Sequence, residues 1–332
     1  MNMKKMTFRE AIREAMSEEM RLDENIIFMG EDIGVYGGSF GVSEGMEEEF
    51  GSERILSTPI SESTIVGAAA GAAMTGLRPI CEMMFMDFIC FGMDSLVNQA
   101  AKAHYMSGGK VNVPMVVRLP GGSGTGAAAQ HSQSLEAWFC NVPGLKVVAP
   151  ATPAQAKGLL KASIRDNNPV CFIENKLLYS TTGMVPVSDQ YVIELEKSFV
   201  EREGDDVTIV TWGQMLLNAM EAADMLEKQG VHVEIVNPMT LYPMDMTPIE
   251  ASVKKTGRLI IVHEAPKTGG VGGEIAARIA GSECFDYLDA PIVRLAGLDV
   301  PIPCNRRLEA AVVPQTKDII ESVYKMLGRN MG

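Results

Sequence analysis

Apolar and polar positions over the first twenty residues repeat with the period of a helix. Phe8, Ala11, Ile12, Ala15 and Met16 share one face, and Thr7 with Glu10 has capping-box spacing at its start. The pattern predicts a helix over 7–20. Beyond it, apolar runs at 26–29, 55–57, 79–84, 115–118, 146–149 and 170–173 read as strands. Segments 63–76, 94–106 and 153–166 between them carry helical spacing. Strands alternating with helices are the signature of a parallel sheet covered by helices.

The rhythm stops between about 175 and 206, where Pro186 and a mixed polar run mark a connection. It resumes with strands at 207–211, 233–236, 259–262 and 292–295, alternating with helices at 214–229, 245–255, 271–280 and 315–328. The expected fold is α/β with two doubly wound domains. The first covers 1–180 around a parallel sheet, 181–204 is a linker, and a smaller domain covers 205–332. A chain of 332 residues accommodates both cores.

Composition narrows the class of partner. Apolar residues make up 46% and charged residues 21%, a globular balance that excludes disorder. The net charge of −13 argues against nucleic acid or an anionic membrane as partner and leaves basic protein surfaces open. Ser63 to Leu77 is uncharged but only 15 residues long, short of the ~20 needed to cross a bilayer. The N-terminus shows no signal-peptide pattern. Six dispersed cysteines, none in a Cys-x-x-Cys pair, read as buried free thiols, so a cytoplasmic location is expected. The 23 methionines read as adaptable core filler.

Ligands of open α/β sheets bind at the carboxyl ends of strands. Glu62 follows one such end and opens a helix of small residues, Ala68 to Ala73, that permits close packing. It is either a capping acid or a functional carboxylate. The run from Cys81 to Phe91 is too rich in large apolar groups for one strand, and part of it forms an apolar wall or ordinary core. Arg118 precedes the glycine-rich stretch Gly121 to Gly126, whose backbone can approach a ligand or partner closely. His131 follows it in a Gln-His-Ser-Gln setting, suited to proton transfer or to a surface cap. The cluster Gly269 to Gly273 only partly matches a dinucleotide fingerprint, because Ile275 stands where the third glycine belongs. Glu31 and Asp32 read as a solvated face.

Several ordered motifs together carry a resemblance: Thr58-Pro59-Ile60-Ser61-Glu62, Leu77 to Glu82, Ala103 to Gly109, Ala128 to Gln133 and Pro143 to Val148. The chain resembles, nearly end to end, the beta subunit of the decarboxylating component of 2-oxoacid dehydrogenase complexes, closest to the pyruvate and acetoin dehydrogenase members. The resemblance implies a thiamine diphosphate enzyme of the transketolase-like superfamily, an oxidoreductase active only with an alpha subunit. Glu62 would bond the aminopyrimidine ring nitrogen, Met84 and Phe88 would contact that ring, and His131 would face the reacting carbonyl. Backbone carbonyls of Met115, Ser163, Ile164, Asp166 and Asn168 match a structural monovalent-cation (K+) site in some relatives.

The superfamily holds the diphosphate and its Mg2+ through a Gly-Asp-Gly motif, and this sequence has none. The resemblance therefore implies that an alpha subunit supplies that half, in an assembly of two alpha and two beta chains with a homodimer contact between the beta chains. The two-carbon unit would pass to a lipoyl group of a dihydrolipoamide acyltransferase, whose subunit-binding domain docks on the C-terminal domain. Gly124 to Ala127 and Lys176 to Tyr179 lean toward the acetoin members. A branched-chain 2-oxoacid dehydrogenase beta subunit, and a transketolase-like half-chain without a lipoyl partner, are the alternatives.

Overall fold

The computed structural model describes residues 2–329. Two compact units divide the chain. One runs through Gly121 and is completed by 138–195, and the other is made of 122–137 and the chain from 196 onward.

In the first unit the elements are β1 (Met3–Thr7), α1 (Phe8–Leu22), β2 (Ile26–Glu31), α2 (Met46–Phe50), β3 (Ile55–Thr58), α3 (Glu62–Met74), β4 (Arg78–Glu82), α4 (Ile89–Met93), α5 (Ala101–Met106) and β5 (Val116–Gly121). A short α6 (Glu136–Cys140) leads back into it, followed by β6 (Lys146–Val148), α7 (Pro153–Arg165), β7 (Val170–Asn175) and β8 (Thr182–Pro186). Its main strands lie in the order β6-β7-β5-β4-β2-β3, every pair parallel. The chain steps from β2 outward to β3, then back across β2 to β4, so the order reverses between β2 and β4. Such a reversal opens a crevice at the carboxyl ends of the strands.

Helix α1 forms as the pattern predicts, with Phe8, Ala11, Ile12, Ala15 and Met16 all buried. Its capping box is complete: Glu10 N–H donates to Thr7 Oγ1 at 3.3 Å, and Thr7 N–H donates to Glu10 Oε2 at 2.6 Å. Two lysines of α7, Lys157 and Lys161, are fully buried against α1, where Glu14 and Glu18 accept from them. A buried ammonium is tolerable only with such partners.

The second unit contains β9 (Phe199–Arg202), β10 (Val207–Thr211), α8 (Gln214–Glu227), β11 (Val233–Asn237), β12 (Thr240–Tyr242), α9 (Thr247–Thr256), β13 (Leu259–Pro266), α10 (Val271–Ala280), β14 (Val293–Gly297), α11 (Arg306–Val312) and α12 (Thr316–Met326). Its sheet runs β14-β13-β10-β11-β9, parallel except for the antiparallel edge strand β9. Every residue of β10 and β11 is buried, as befits strands with both sheet faces covered.

Both units are α/β, as expected. The stretch read as a linker, 181–204, carries two strands: β8 pairs antiparallel with β1, and β9 closes the second sheet. Pro186 ends β8. The glycine-rich stretch after β5 also departs from the sequence reading, because 122–137 belongs to the second unit.

Candidate functional site

Neighbouring strands deliver the candidate groups of the first unit to one end of its sheet. Glu31 is the last residue of β2, Thr58 the last of β3 and Glu82 the last of β4, with Glu31 and Thr58 directly paired. Four residues past Thr58, Glu62 is the first residue of α3 and half-buried. Met84 and Phe88, also half-buried, follow Glu82 on the turn that leads into α4. A Cβ added at Gly92 would lie 2.5 Å from Val66 Cγ2 and 3.4 Å from the Glu62 carbonyl oxygen. Only glycine therefore lets α4 pass this close to the first turn of α3, which Glu62 opens.

Glu31, read as part of a solvated face, is buried, whereas Asp32 is exposed. Burial pushes the Glu31 carboxyl up, and repulsion from Glu62 adds to it, while the Ser61 backbone N–H works the other way. Glu31 Oε1 and Thr58 Oγ1 are both buried without a hydrogen-bond partner among the described residues. Buried polar atoms normally find partners, so the pair marks where a polar ligand belongs. No local pattern singles out Glu31, since only the position of β2 at the chain reversal makes it a site residue.

An aromatic cluster backs the wall. Phe85 meets Phe88 edge-on at 5.7 Å and Phe40 at 5.6 Å, Phe40 stacks on Tyr179 at 5.1 Å, and Lys176 Nζ lies 5.3 Å over the Phe85 ring. Lys176 and Tyr179 are thus buried packing groups. Beneath them Arg118, fully buried, bonds both oxygens of Glu174 at 2.7 Å and also reaches Glu82. Unpartnered carboxyl and hydroxyl oxygens at the strand ends, with an aromatic cluster on the segment after β4, fit a flat heteroaromatic ring with nitrogen donors and acceptors, such as an aminopyrimidine.

Of the carbonyls matched to a cation site, those of Ile164 and Asp166 accept from the Arg78 guanidinium, at 2.8 and 2.7 Å. The Met115 carbonyl accepts from Val170 N–H, and the Ser163 carbonyl from Asp166 N–H. A monovalent cation there would share its acceptors with Arg78. Among the described residues no group of three or more His, Cys, Asp or Glu is placed to hold a metal ion.

His131 lies in the second unit, half-buried on the loop between β5 and α6. Beside it is a cavity of about 380 Å³ lined by Ser132, Gln133, Leu135, Glu264, Asp299 and Val300. Ser132 Oγ is buried there without a partner among the described residues. Glu136 is buried and accepts from the Trp212 indole N–H at 3.3 Å. Burial lifts its carboxyl to about 7, with Glu264 adding repulsion against the lowering effect of its hydrogen bonds.

The second glycine cluster serves packing. Trp212 stacks on His263 at 5.5 Å, and a Cβ at Gly270 or Gly272 would come within 2.7 Å of the imidazole. The glycines admit a buried ring where the sequence suggested a weak nucleotide fingerprint.

Comparison with known proteins places this geometry among relatives. A family model described as the transketolase pyrimidine binding domain matches residues 4–182, and one described as the transketolase C-terminal domain matches 196–319. The pyruvate dehydrogenase E1 component subunit beta of Rhizobium meliloti (strain 1021) is 48% identical over 318 residues, which cover 96% of this chain and 69% of that protein. The mitochondrial pyruvate dehydrogenase E1 component subunit beta of Homo sapiens is 46% identical, covering 97% of this chain and 90% of that protein. A solved structure described as a split gene transketolase, inactive beta4 tetramer, matches with a TM-score of 0.79 over 98% of this chain and 100% of its own. At 23% identity, that likeness is one of fold.

Proposed function

The chain belongs to the family of pyruvate dehydrogenase E1 component beta subunits, and from that premise we propose that it forms the pyrimidine side of a thiamine diphosphate site shared with an alpha subunit. The observation that carries the proposal is that β2, β3 and β4 end together, delivering Glu31, Glu62 and the Met84–Phe88 segment to one end of the sheet, with Glu62 close enough to act on the Glu31 carboxyl. Bound there, thiamine diphosphate would supply a carbon nucleophile and an electron sink for loss of carbon dioxide from a 2-oxoacid. Glu62 holds a proton toward the aminopyrimidine ring nitrogen. Phe88 and Met84 cover the ring's faces and exclude water. His131 moves a proton at the substrate carbonyl oxygen.

The diphosphate and its Mg2+ belong to the alpha chain in this reading, in an assembly of two alpha and two beta chains. The acyl product passes to a lipoyl group of the acyltransferase core. Pyruvate is the substrate we assign, supported by the relatives named above. The residues that lean toward acetoin have internal roles, since Lys176 and Tyr179 pack behind Phe85, and Gly124 and Gly126 bond a buried glutamate. A cytoplasmic location goes with the same reading, supported by six free cysteines, of which Cys81, Cys171 and Cys284 are buried as expected while Cys90 and Cys304 are exposed.

Glu62→Gln in the chain reconstituted with its alpha partner tests the site. Turnover of pyruvate should be abolished while the assembly elutes unchanged on size exclusion. Near-normal turnover would overturn the assignment, and parallel assays with acetoin decide the substrate.

A further inference from the structure

The loop that carries His131 is rich in residues that ordinarily give a mobile segment. Gly122, Gly124 and Gly126 take φ of +85°, +98° and +74°, and Ala128 takes +63°. Glycine costs more conformational entropy to fix than any other residue. Such a loop presents one side chain in one orientation only if something fixes its backbone.

Two carboxylates of the second unit do so. Gly122 N–H closes the base of the loop on the Gln133 carbonyl at 3.0 Å. Ser123 N–H donates to Glu264, Gly124 N–H to Glu309 Oε1 at 2.6 Å, and Gly126 N–H to Glu309 Oε2 at 2.9 Å. The left-handed residues turn these amides to the same side, which makes a small backbone nest for an anion. Here the anion is the protein's own. Glu309 is 1% exposed and rooted in α11, whose first turn is capped by Asn305 accepting from Arg307 N–H at 3.0 Å and Leu308 N–H at 3.3 Å. Beyond the nest, His131 N–H donates to the Ala128 carbonyl at 3.3 Å, so the histidine is tied back to the last left-handed residue.

We infer that Glu309 is a positioning residue for His131: its carboxylate, by holding Gly124 and Gly126 together, sets where the imidazole stands in the reaction. This rests on the proton-transfer role proposed for His131. It assigns α11, more than 170 residues downstream, a share in orienting the reacting carbonyl. Both oxygens are required. A glutamine would keep one acceptor and turn an NH2 donor against the other amide, so one bond is lost and a donor pair is opposed.

A double-mutant cycle on the reconstituted alpha–beta enzyme tests the inference. Glu309→Gln should lower kcat roughly tenfold, the scale of a small misplacement of a catalytic group, with KM and thiamine diphosphate affinity close to wild type. In a His131→Ala background the same substitution should change kcat by less than about twofold, because the group it positions is gone. Equal losses in the two backgrounds would mean that Glu309 acts independently of His131 and would overturn the inference, as would unchanged kcat in Glu309→Gln. Full activity in His131→Ala alone would instead remove the histidine role itself, and the inference with it. Hydrogen exchange on the unsubstituted enzyme reads the latch should the variant fail to fold. Slow exchange at Gly124 and Gly126 is expected, and free exchange at both would overturn it.

Discussion

Arg118 and Glu174 form a fully buried fork on neighbouring strands β5 and β7, with Nε to Oε1 and Nη2 to Oε2 both at 2.7 Å. The third arm, Nη1, reaches Glu82, and the Tyr179 hydroxyl donates to Glu174 Oε2 at 2.6 Å. Burial works against the guanidinium charge, but the two carboxylates outweigh it and raise the arginine pKa. Glu82 is pushed up by burial despite Arg118 beside it. The cluster sits under the crevice: Glu82 fixes the chain just before Met84, and Tyr179 supports the aromatic stack that ends at Phe88.

Removing the cation should therefore be costly. Arg118→Met strands two buried carboxylates and is expected to lower stability by about 3–5 kcal/mol, as for other broken buried pairs. Arg118→Lys should recover less than half of that, because a point charge cannot fork to Glu174 and reach Glu82. Urea unfolding midpoints of the two variants check the ranking.

Phe88 should act on cofactor affinity more than on the fold. It is half-buried, so Phe88→Ala leaves a small packing loss, while the loss of ring contact should weaken thiamine diphosphate binding roughly tenfold. Isothermal titration of the reconstituted enzyme measures this. Unchanged affinity would remove Phe88 from the wall.

Glu136 gives the second unit a pH dependence of definite sign. Its carboxyl titrates near 7 in the folded chain against 4.5 ordinarily, so the folded state binds the extra proton between those values. Its contribution is fully present below about 4.5 and is lost as pH rises through about 7, by at most about 3 kcal/mol. Glu136→Gln keeps an acceptor for Trp212 and carries no charge. The variant should flatten the decline in melting temperature between pH 5 and 7.5, and an unchanged slope would exclude Glu136 as its source.

Gly272→Ala should destabilise the second unit. The new Cβ would stand 2.7 Å from His263 Cδ2 and Nε2, atoms of a rigid ring held against Trp212. A cost of about 1–3 kcal/mol is expected from overpacking, with thiamine diphosphate affinity untouched. Calorimetric melts decide it, and a neutral outcome would show that the ring has room to move.

Helices were legible wherever a buried face repeats locally. The Thr7–Glu10 capping box and the Phe8–Met16 stripe are local signals, and both form as read. β1 and β8 were not legible, because each half of that ribbon is short and its partner lies about 180 residues away. Glu31 looked like surface for a similar reason. Its burial follows from where β2 stands in the strand order, which no window along the chain contains. The Gly121–Gly126 loop was correctly singled out as unusual, but its Ser123 amide serves Glu264 and its Gly124 and Gly126 amides serve Glu309, and the local pattern marks neither carboxylate.

By itself the sequence determined the alternation of strands and helices, the two-domain α/β class and, through its ordered motifs, the family, and it nominated Glu62, Met84, Phe88 and His131 as candidates. All of these are local spacings or short words in the chain. Tertiary structure alone decided that Glu31 joins Glu62, that Arg118 braces the wall through Glu82 and Glu174, and that 122–137 folds with the second unit on the carboxylates of Glu264 and Glu309. Those are pairings of buried charge and backbone amide across 30 to 185 residues. Their free energy comes from desolvated groups meeting, and that happens only once the sheets have formed.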